Sequence, residues 1–254
     1  MNLQGRIVGI SGGNSGLGLA IVELLVNVCY KVIVIDKSDI CERLRDIPNV
    51  EYIQCDLSNP DFAPFRVDVF IHNVGMSIGP KLVRDTSYLE MKKMIEVNIL
   101  SHLYCVKNIK CRKHVFIASV LSYVGIELYS CYSSSKAFMR SFVESLQREG
   151  YDTMIVFPYK MNTPMFKEIK DLNTLDVDYV AKEVIVGIEK NKREMVVPRY
   201  YVLIDMFKGF VPNFIKNFAL DMVAEYFVEK KAIEELKSLR TKYDIIEVQV
   251  TTNN

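Results

Sequence analysis

Residues 6–18 read RIVGISGGNSGLG, and residues 19–28 continue as LAIVELLVNV. Arg6 to Ser11 is an apolar run of strand length, and the stretch after Gly18 repeats apolar residues at helical spacing. Between them lie Gly12, Gly13, Asn14, Ser15, Gly16, Leu17 and Gly18. A strand, a glycine-rich turn and a helix in that order present free backbone N–H groups and a helix N-terminus to a pyrophosphate. The glycines fall as G-x-x-x-G-x-G, not as the G-x-G-x-x-G of most dinucleotide folds. Taken alone, the turn also fits a plain tight connection, the weaker of the two readings. The second apolar run weighs against that. It is VIVID, and it ends in Asp36, twenty residues after Gly16, where a carboxylate accepts adenosine ribose hydroxyls and repels a 2′-phosphate. Asp36 therefore favours NAD(H); Lys37, next in the chain, keeps NADP(H) as the alternative.

A second constellation lies further along. Lys136 follows Tyr132 by four residues, so on a helix both side chains leave one face. Ser119 ends the apolar run HVFIAS, which reads as a strand pointing at that face. Tyr-x-x-x-Lys also occurs at Tyr88/Lys92 and Tyr226/Lys230, so the spacing by itself carries little. Only the copy at Tyr132 has a serine thirteen residues upstream; the others have Gly75 and Asn213 there. A hydroxyl, a phenol and an ammonium at one point suit the interconversion of a ketone and an alcohol. A free phenol titrates near ~10; a neighbouring ammonium and a positive nicotinamide both favour the phenolate. Ser119 is placed to donate to the substrate oxygen.

Strands are expected at about 6–11, 31–35, 50–55, 67–71, 114–119, 153–157 and 194–197, with helices between most of them. Near-continuous apolar strands alternating with helices predict a parallel sheet covered on both faces. Two connections are abbreviated. The ten residues between Asp56 and Val67 contain Pro60 and Pro64, which predicts loss of a crossover helix there, and the link from the Asn98 region to HVFIAS is tight.

With both motifs in place, the chain resembles the short-chain dehydrogenase/reductase family from about Leu3 to Met165. SGGNSGLG is similar to the family's T-G-x-x-x-G-x-G, with Ser11 for threonine. CDLS places Asp56 and Leu57 at the adenine end; HNVG stands for N-N-A-G, with His72 for the first asparagine and Asn73 and Gly75 kept. EVNIL puts Asn98 at the family's catalytic asparagine. FPYKMNTPM resembles P-G-x-x-x-T-P, with Pro158, Met161 and Thr163 in register and Tyr159 in place of glycine. The resemblance implies a Rossmann-type three-layer α/β/α sandwich with a seven-stranded parallel sheet and a helical C-terminal extension. It implies Asn98, Ser119, Tyr132 and Lys136 as catalytic residues. Lys136 would also hold the nicotinamide ribose, and Asn98 would kink its helix and hold a water that carries protons from Lys136. Gly12, Asn14, Ser15, Gly16, Leu17, Gly18, Asp36, Asp56, Leu57, Asn73, Gly75, Pro158, Met161 and Thr163, with Tyr132 and Lys136, would bind the dinucleotide. A dinucleotide-sensing protein without catalysis is the competing reading; the presence of both Tyr132 and Lys136 favours the enzyme.

The 254 residues suffice for a single domain, with 1–197 as core and 198–254 as extension. A net charge of +1, without a basic aromatic stripe, argues against nucleic acid. Six cysteines without a C-x-x-C pair indicate a reduced, intracellular protein, cytoplasmic or peripheral to an internal membrane. Three separated histidines make a metal site unexpected; His72 and His102 read as satisfied structural residues, and Cys131 as a small buried filler. The first strand begins too early for a signal peptide. Beyond MVVPRYY, the residues Leu203, Phe207, Phe210, Phe214, Phe218 and Met222 make an apolar stripe over 198–228 broken near Gly209 and Pro212. Core packing, a homodimer face, a lid over an apolar substrate and peripheral membrane contact all fit it; charges interrupt it too often for a spanning helix. EKKAIEELKSLRTKYD reads as a solvated helix. This tail, with ESLQREG and the spacing of Pro158, Thr163 and Phe166, is similar to microsomal lipid and steroid reductases of the family, 3-ketosphinganine reductases among them. That implies a hydrophobic ketone or alcohol as substrate.

Overall fold

The computed structural model describes residues 1–163, 165, 174–201 and 238. The glycine-rich opening forms β1 (Ile7–Ser11) and α1 (Gly16–Leu25). There follow β2 (Lys31–Asp36), α2 (Glu42–Arg45), β3 (Val50–Gln54), β4 (Phe65–Arg66) and β5 (Val69–His72). A long helix then runs as α3 (Tyr88–Ile95), a π-helical segment (Glu96–Leu100) and α4 (Ser101–Asn108). The chain continues through β6 (Ile109–Lys110), β7 (Lys113–Ile117), α5 (Ser130–Arg148), β8 (Thr153–Pro158), α6 (Val177–Glu189) and β9 (Glu194–Val197).

Seven strands form one parallel sheet in the order β3-β2-β1-β5-β7-β8-β9. This is the sheet expected from the apolar runs. Alternation sorts its side chains onto two faces. Val8, Ile10, Val32, Val34, Val69, Ile71, Val115 and Val156 pack against α1 and α6; Ile33, Ile35, Phe70, Phe116, Ile155 and Phe157 face α4 and α5. Both faces are dry, as parallel sheets require.

The shortened crossing between β3 and β5 has no helix. Phe62 and Phe65 fill its place, with Phe62 edge-on to Tyr104 of α4 at 5.3 Å and Phe65 against Phe70 at 6.5 Å. A two-stranded ladder, β4 with β6, ties this crossing to the equally tight link before β7. The sequence pattern did not announce that ladder. It also carried the HVFIAS strand two residues too far: β7 ends at Ile117, and Ser119 opens a 3-10 turn over Val120–Ser122. The extension expected over 198–254, with its aromatic stripe, lies outside the described residues after Tyr201, Ser238 excepted.

Candidate active site

At the carboxyl ends of the central strands the sheet opens into a crevice of about 570 Å³. Its first wall is the β1–α1 turn. Gly12 has φ +67°, a backbone region that glycine enters without steric cost. Gly18 lies so close beneath that a Cβ there would stand 1.9 Å from the Gly12 carbonyl oxygen. Only glycines let the turn fold this tightly. Ser15 caps α1 without a side-chain hydrogen bond, and the first turn carries no acid. The orphan amides of that turn and the positive end of the helix are thus available to an anion. Ser11, in the threonine position, holds the turn to β5: its hydroxyl accepts from the amides of Asn73 (3.1 Å) and Val74 (3.2 Å). The Asn73 side-chain amide donates to the Gly12 carbonyl at 2.8 Å.

Asp36, at the end of β2, accepts from the Asn14 amide at 3.2 Å and from the amide and hydroxyl of Ser38, each at 3.2 Å. Beyond it the crevice is lined by Asp56, Leu57 and Ser58. Asp56 is paired with Lys93 of α3 at 3.1 Å. The Ser58 amide donates to the Asp56 carboxylate, and this bond, with Lys93, holds its pKa down at about 2. Lys93 and Val97 line the crevice one helical turn apart, and neither was foreseen. Their i, i+4 spacing ahead of Asn98 was the available signal.

Of the residues singled out in the sequence, Gly12, Ser15, Gly16, Leu17, Asp36, Asp56, Leu57, Asn73, Gly75, Tyr132, Lys136, Met161 and Thr163 line the crevice. Asn14, Gly18, Asn98, Ser119 and Pro158 stand behind that lining. Asn14 ties the turn to the chain after β2, donating to the Asp39 carbonyl (2.8 Å) and accepting from the Cys41 amide (2.9 Å). Pro158 closes β8 opposite Val197. Tyr159, the departure from the glycine pattern, stacks on Tyr201 with centroids 4.5 Å apart.

Tyr132 and Lys136 share the inner face of α5 and are both nearly fully buried, with Lys136 Nζ 5.7 Å from the Tyr132 ring centroid. Lys136 Nζ donates to the Ile117 carbonyl at 3.2 Å. Ser119 lies near enough to the Tyr132 phenol to favour its phenolate. Burial pushes the phenol well above its ordinary range, against the lowering effect of Ser119. In the protein alone burial thus outweighs the depression expected from Lys136. Burial also lowers Lys136 to about 8. Asn98 sits in the π-helical segment, an irregular turn at the place where the kink was expected. Its side chain accepts from the Met76 amide (2.8 Å) and donates to the Met76 carbonyl (2.9 Å) and Ser135 Oγ (3.0 Å). Cys131 is half-buried beside Tyr132, close to the filler expected. Neither histidine is the satisfied residue expected: both ring nitrogens of His102 and Nδ1 of His72 have no hydrogen-bond partner, although His72 Nε2 meets His114. Tyr88, of the first decoy pair, is exposed on α3.

The short chain dehydrogenase family model matches residues 6–173. The chain belongs to that family and is an oxidoreductase. It is 29% identical over 212 residues to the 17-beta-hydroxysteroid dehydrogenase type 3 of Rattus norvegicus, covering 72% of this chain and 67% of that one. It is 28% identical over 190 residues to a 3-dehydrosphinganine reductase of Arabidopsis thaliana, covering 64% and 57%. Among solved structures, a short-chain dehydrogenase from Sphingobium yanoikuyae in complex with NADPH superimposes with a TM-score of 0.69 at 20% identity, covering 80% of this chain and 94% of that one. One from Burkholderia phymatum, in complex with NAD, reaches the same score at 15% identity, covering 82% and 94%. Identities this low establish a common fold and leave the choice between the two dinucleotides to this chain's own residues.

Proposed function

We propose that the protein interconverts a ketone and a secondary alcohol on an apolar substrate, using a nicotinamide dinucleotide, with NAD(H) preferred. The observation that carries this reading is buried Tyr132 with Lys136 on the same helix face at the inner end of the crevice, and Ser119 near enough to the phenol to favour its phenolate. The crevice fits a dinucleotide on its own features: a glycine turn too close for any Cβ, free first-turn amides, and a carboxylate where ribose hydroxyls would lie. Gly12, Ser15, Gly16 and Leu17 would hold the pyrophosphate, Asp36 the adenosine ribose, and Asp56 and Leu57 the base. Gly75, Met161, Thr163 and Lys136 would border the nicotinamide end. When bound, the dinucleotide supplies or accepts the hydride.

Tyr132 does the proton work. Its elevated phenol is protonated at neutral pH, the form that donates to the ketone oxygen in reduction; in the reverse direction it takes the alcohol proton. Ser119 steadies the charge that develops on the substrate oxygen. Its Oγ accepts from the Leu121 amide at 3.2 Å, which fixes the hydroxyl's position. Asn98 acts by holding Met76, and with it the segment that passes Lys136. On this reading 1–197 carries the dinucleotide and the chemistry within a single domain of 1–254. Support for an apolar substrate comes from the cluster around Tyr132: Met94, Leu128 and Tyr129, with Met76, Ile78, Leu82, Leu121 and Ile126 packed against them. The names of the steroid and sphinganine relatives agree with it.

Turnover with a panel of cyclic, steroid and long-chain ketones tests the reading. Tyr132→Phe is expected to abolish turnover while NADH still binds. Retention of more than a few per cent of native activity refutes the assignment.

A further inference from the structure

The chain has three histidines, and His72, His102 and His114 are all buried in one cluster on the α4 side of the sheet. His72 Nε2 and His114 Nδ1 are 3.0 Å apart, so one ring donates to the other. His72 is stacked on Phe116 at 4.1 Å, with Phe70 edge-on at 4.7 Å, which fixes its plane. The His102 ring lies 5.7 Å from it, centroid to centroid. His72 Nδ1 and both nitrogens of His102 are buried without a hydrogen-bond partner. The Val74 main chain is near enough to His102 to favour its proton but is not aligned for a bond. Each such orphan costs about 1–3 kcal/mol, so three together call for bridging water.

The cluster connects two places. His102 lies one helical turn beyond Asn98 and close enough to Lys136 for the ammonium to lower its basicity. His114 lies beside half-exposed Asp152, which is paired with buried Lys113, and 5.9 Å from the Tyr151 ring. Lys136 lines the crevice at the carboxyl ends of the strands; Asp152 precedes β8 at the opposite edge of the sheet.

We propose that His102, His72 and His114, joined by internal water, form a proton path through the molecule from Lys136 to solvent at Asp152. The path rests on the reading of Lys136 as part of the proton chemistry. A proton arriving through His102 binds the bare Nδ1 of His72; the Nε2 proton of His72 passes to Nδ1 of His114; Nε2 of His114 releases its proton toward Asp152. One N–H bond forms and one breaks at each ring, so each ends neutral as its other tautomer. Ketone reduction, which consumes a proton, runs the string backwards and restores the first tautomers. Such a relay needs rings that are neutral at rest. Burial keeps them so, holding His102 at about 3 and His114 at about 4, with His72 also well below the usual histidine value.

Labelling histidine with 15N gives a spectrum of three rings, and NMR reads how fast each ring N–H exchanges with water. The path predicts that the ring protons of His72 and His102 exchange at least a hundred-fold faster than the Phe70 and Phe116 amides around them. With NADH at saturation covering the crevice, His72→Asn should slow His102 exchange at least ten-fold. His114→Asn cuts the string one ring further on and serves if the first variant does not fold. Slow exchange in the native chain, or exchange in the loaded protein that is indifferent to both cuts, overturns the proposal. NADH binding is followed separately by fluorescence. Failure to bind sinks the dinucleotide reading, and the path then stands or falls on exchange in the free protein.

Discussion

At Tyr132, burial and the nearby Ser119 act on the phenol in opposite directions, and burial is the larger effect. The same desolvation lowers Lys136, so the two groups part in proton affinity, the phenol moving up and the ammonium down. None of this is readable from Y-x-x-x-K, which fixes only a shared helical face. Asp36 shows the same limit. Its position was legible from the spacing to the glycine turn, but not that three donors already occupy it. An ionised carboxylate has about four acceptor sites, so ribose binding must compete with the Ser38 hydroxyl. Its negative charge remains, and like charges about 4 Å apart cost ~1 kcal/mol in water and ~4 kcal/mol near a protein surface. NADH is therefore expected to bind at least about ten-fold more tightly than NADPH, a gap of roughly 1.4 kcal/mol, and Asp36→Asn should narrow it. Fluorescence titration of both reduced dinucleotides measures the ratio; tighter NADPH binding would reverse the preference.

Among the elements, the long helix α3–π–α4 serves both ends of the crevice. Lys93 reaches Asp56 from its first part, Asn98 holds Met76 from the π-helical segment, and His102 enters the sheet-facing cluster from α4. EVNIL located Asn98 and, through the resemblance, an irregular helix there, but that the irregularity is a π turn left no mark in the sequence. Its cause is tertiary: the asparagine side chain satisfies both main-chain groups of a residue twenty-two positions away. Asn98→Ala would leave the Met76 N–H and C=O without partners, at about 2–6 kcal/mol for the pair. Urea unfolding should show that loss, and a change below about 0.5 kcal/mol would remove Asn98 from this role. The α3 N-terminus, by contrast, was written locally, since Ser87 and Glu90 form a reciprocal capping box.

For the molecule as a whole, the parallel sheet was legible because strands buried on both faces are apolar throughout, and prolines marked the abbreviated crossing. The β4–β6 ladder was not, since two residues show no period. Nor did three histidines far apart in sequence announce one buried cluster. Its consequence is acid sensitivity. Unfolded, each histidine titrates near ~6.5; folded, all three bind protons only at lower pH. The unfolded chain therefore takes up protons the native one refuses, so stability is full above about pH 7 and falls as the pH drops. The slope is about 1.4 kcal/mol per pH unit for each histidine. Urea midpoints between about pH 7.5 and 5 should follow it, less steeply in His114→Asn, and a flat profile would contradict the burial of neutral rings. The flank beside Phe62, Phe65 and Tyr104 has a different bearing. Interlocked rings set no repeat on the chain that passes them, and closing a slightly longer loop adds little entropy cost. At exposed Asp61 and Ala63, on either side of the packed Phe62, descendants of this gene then have room to gain codons while the chemistry at the other end of the sheet stays as it is.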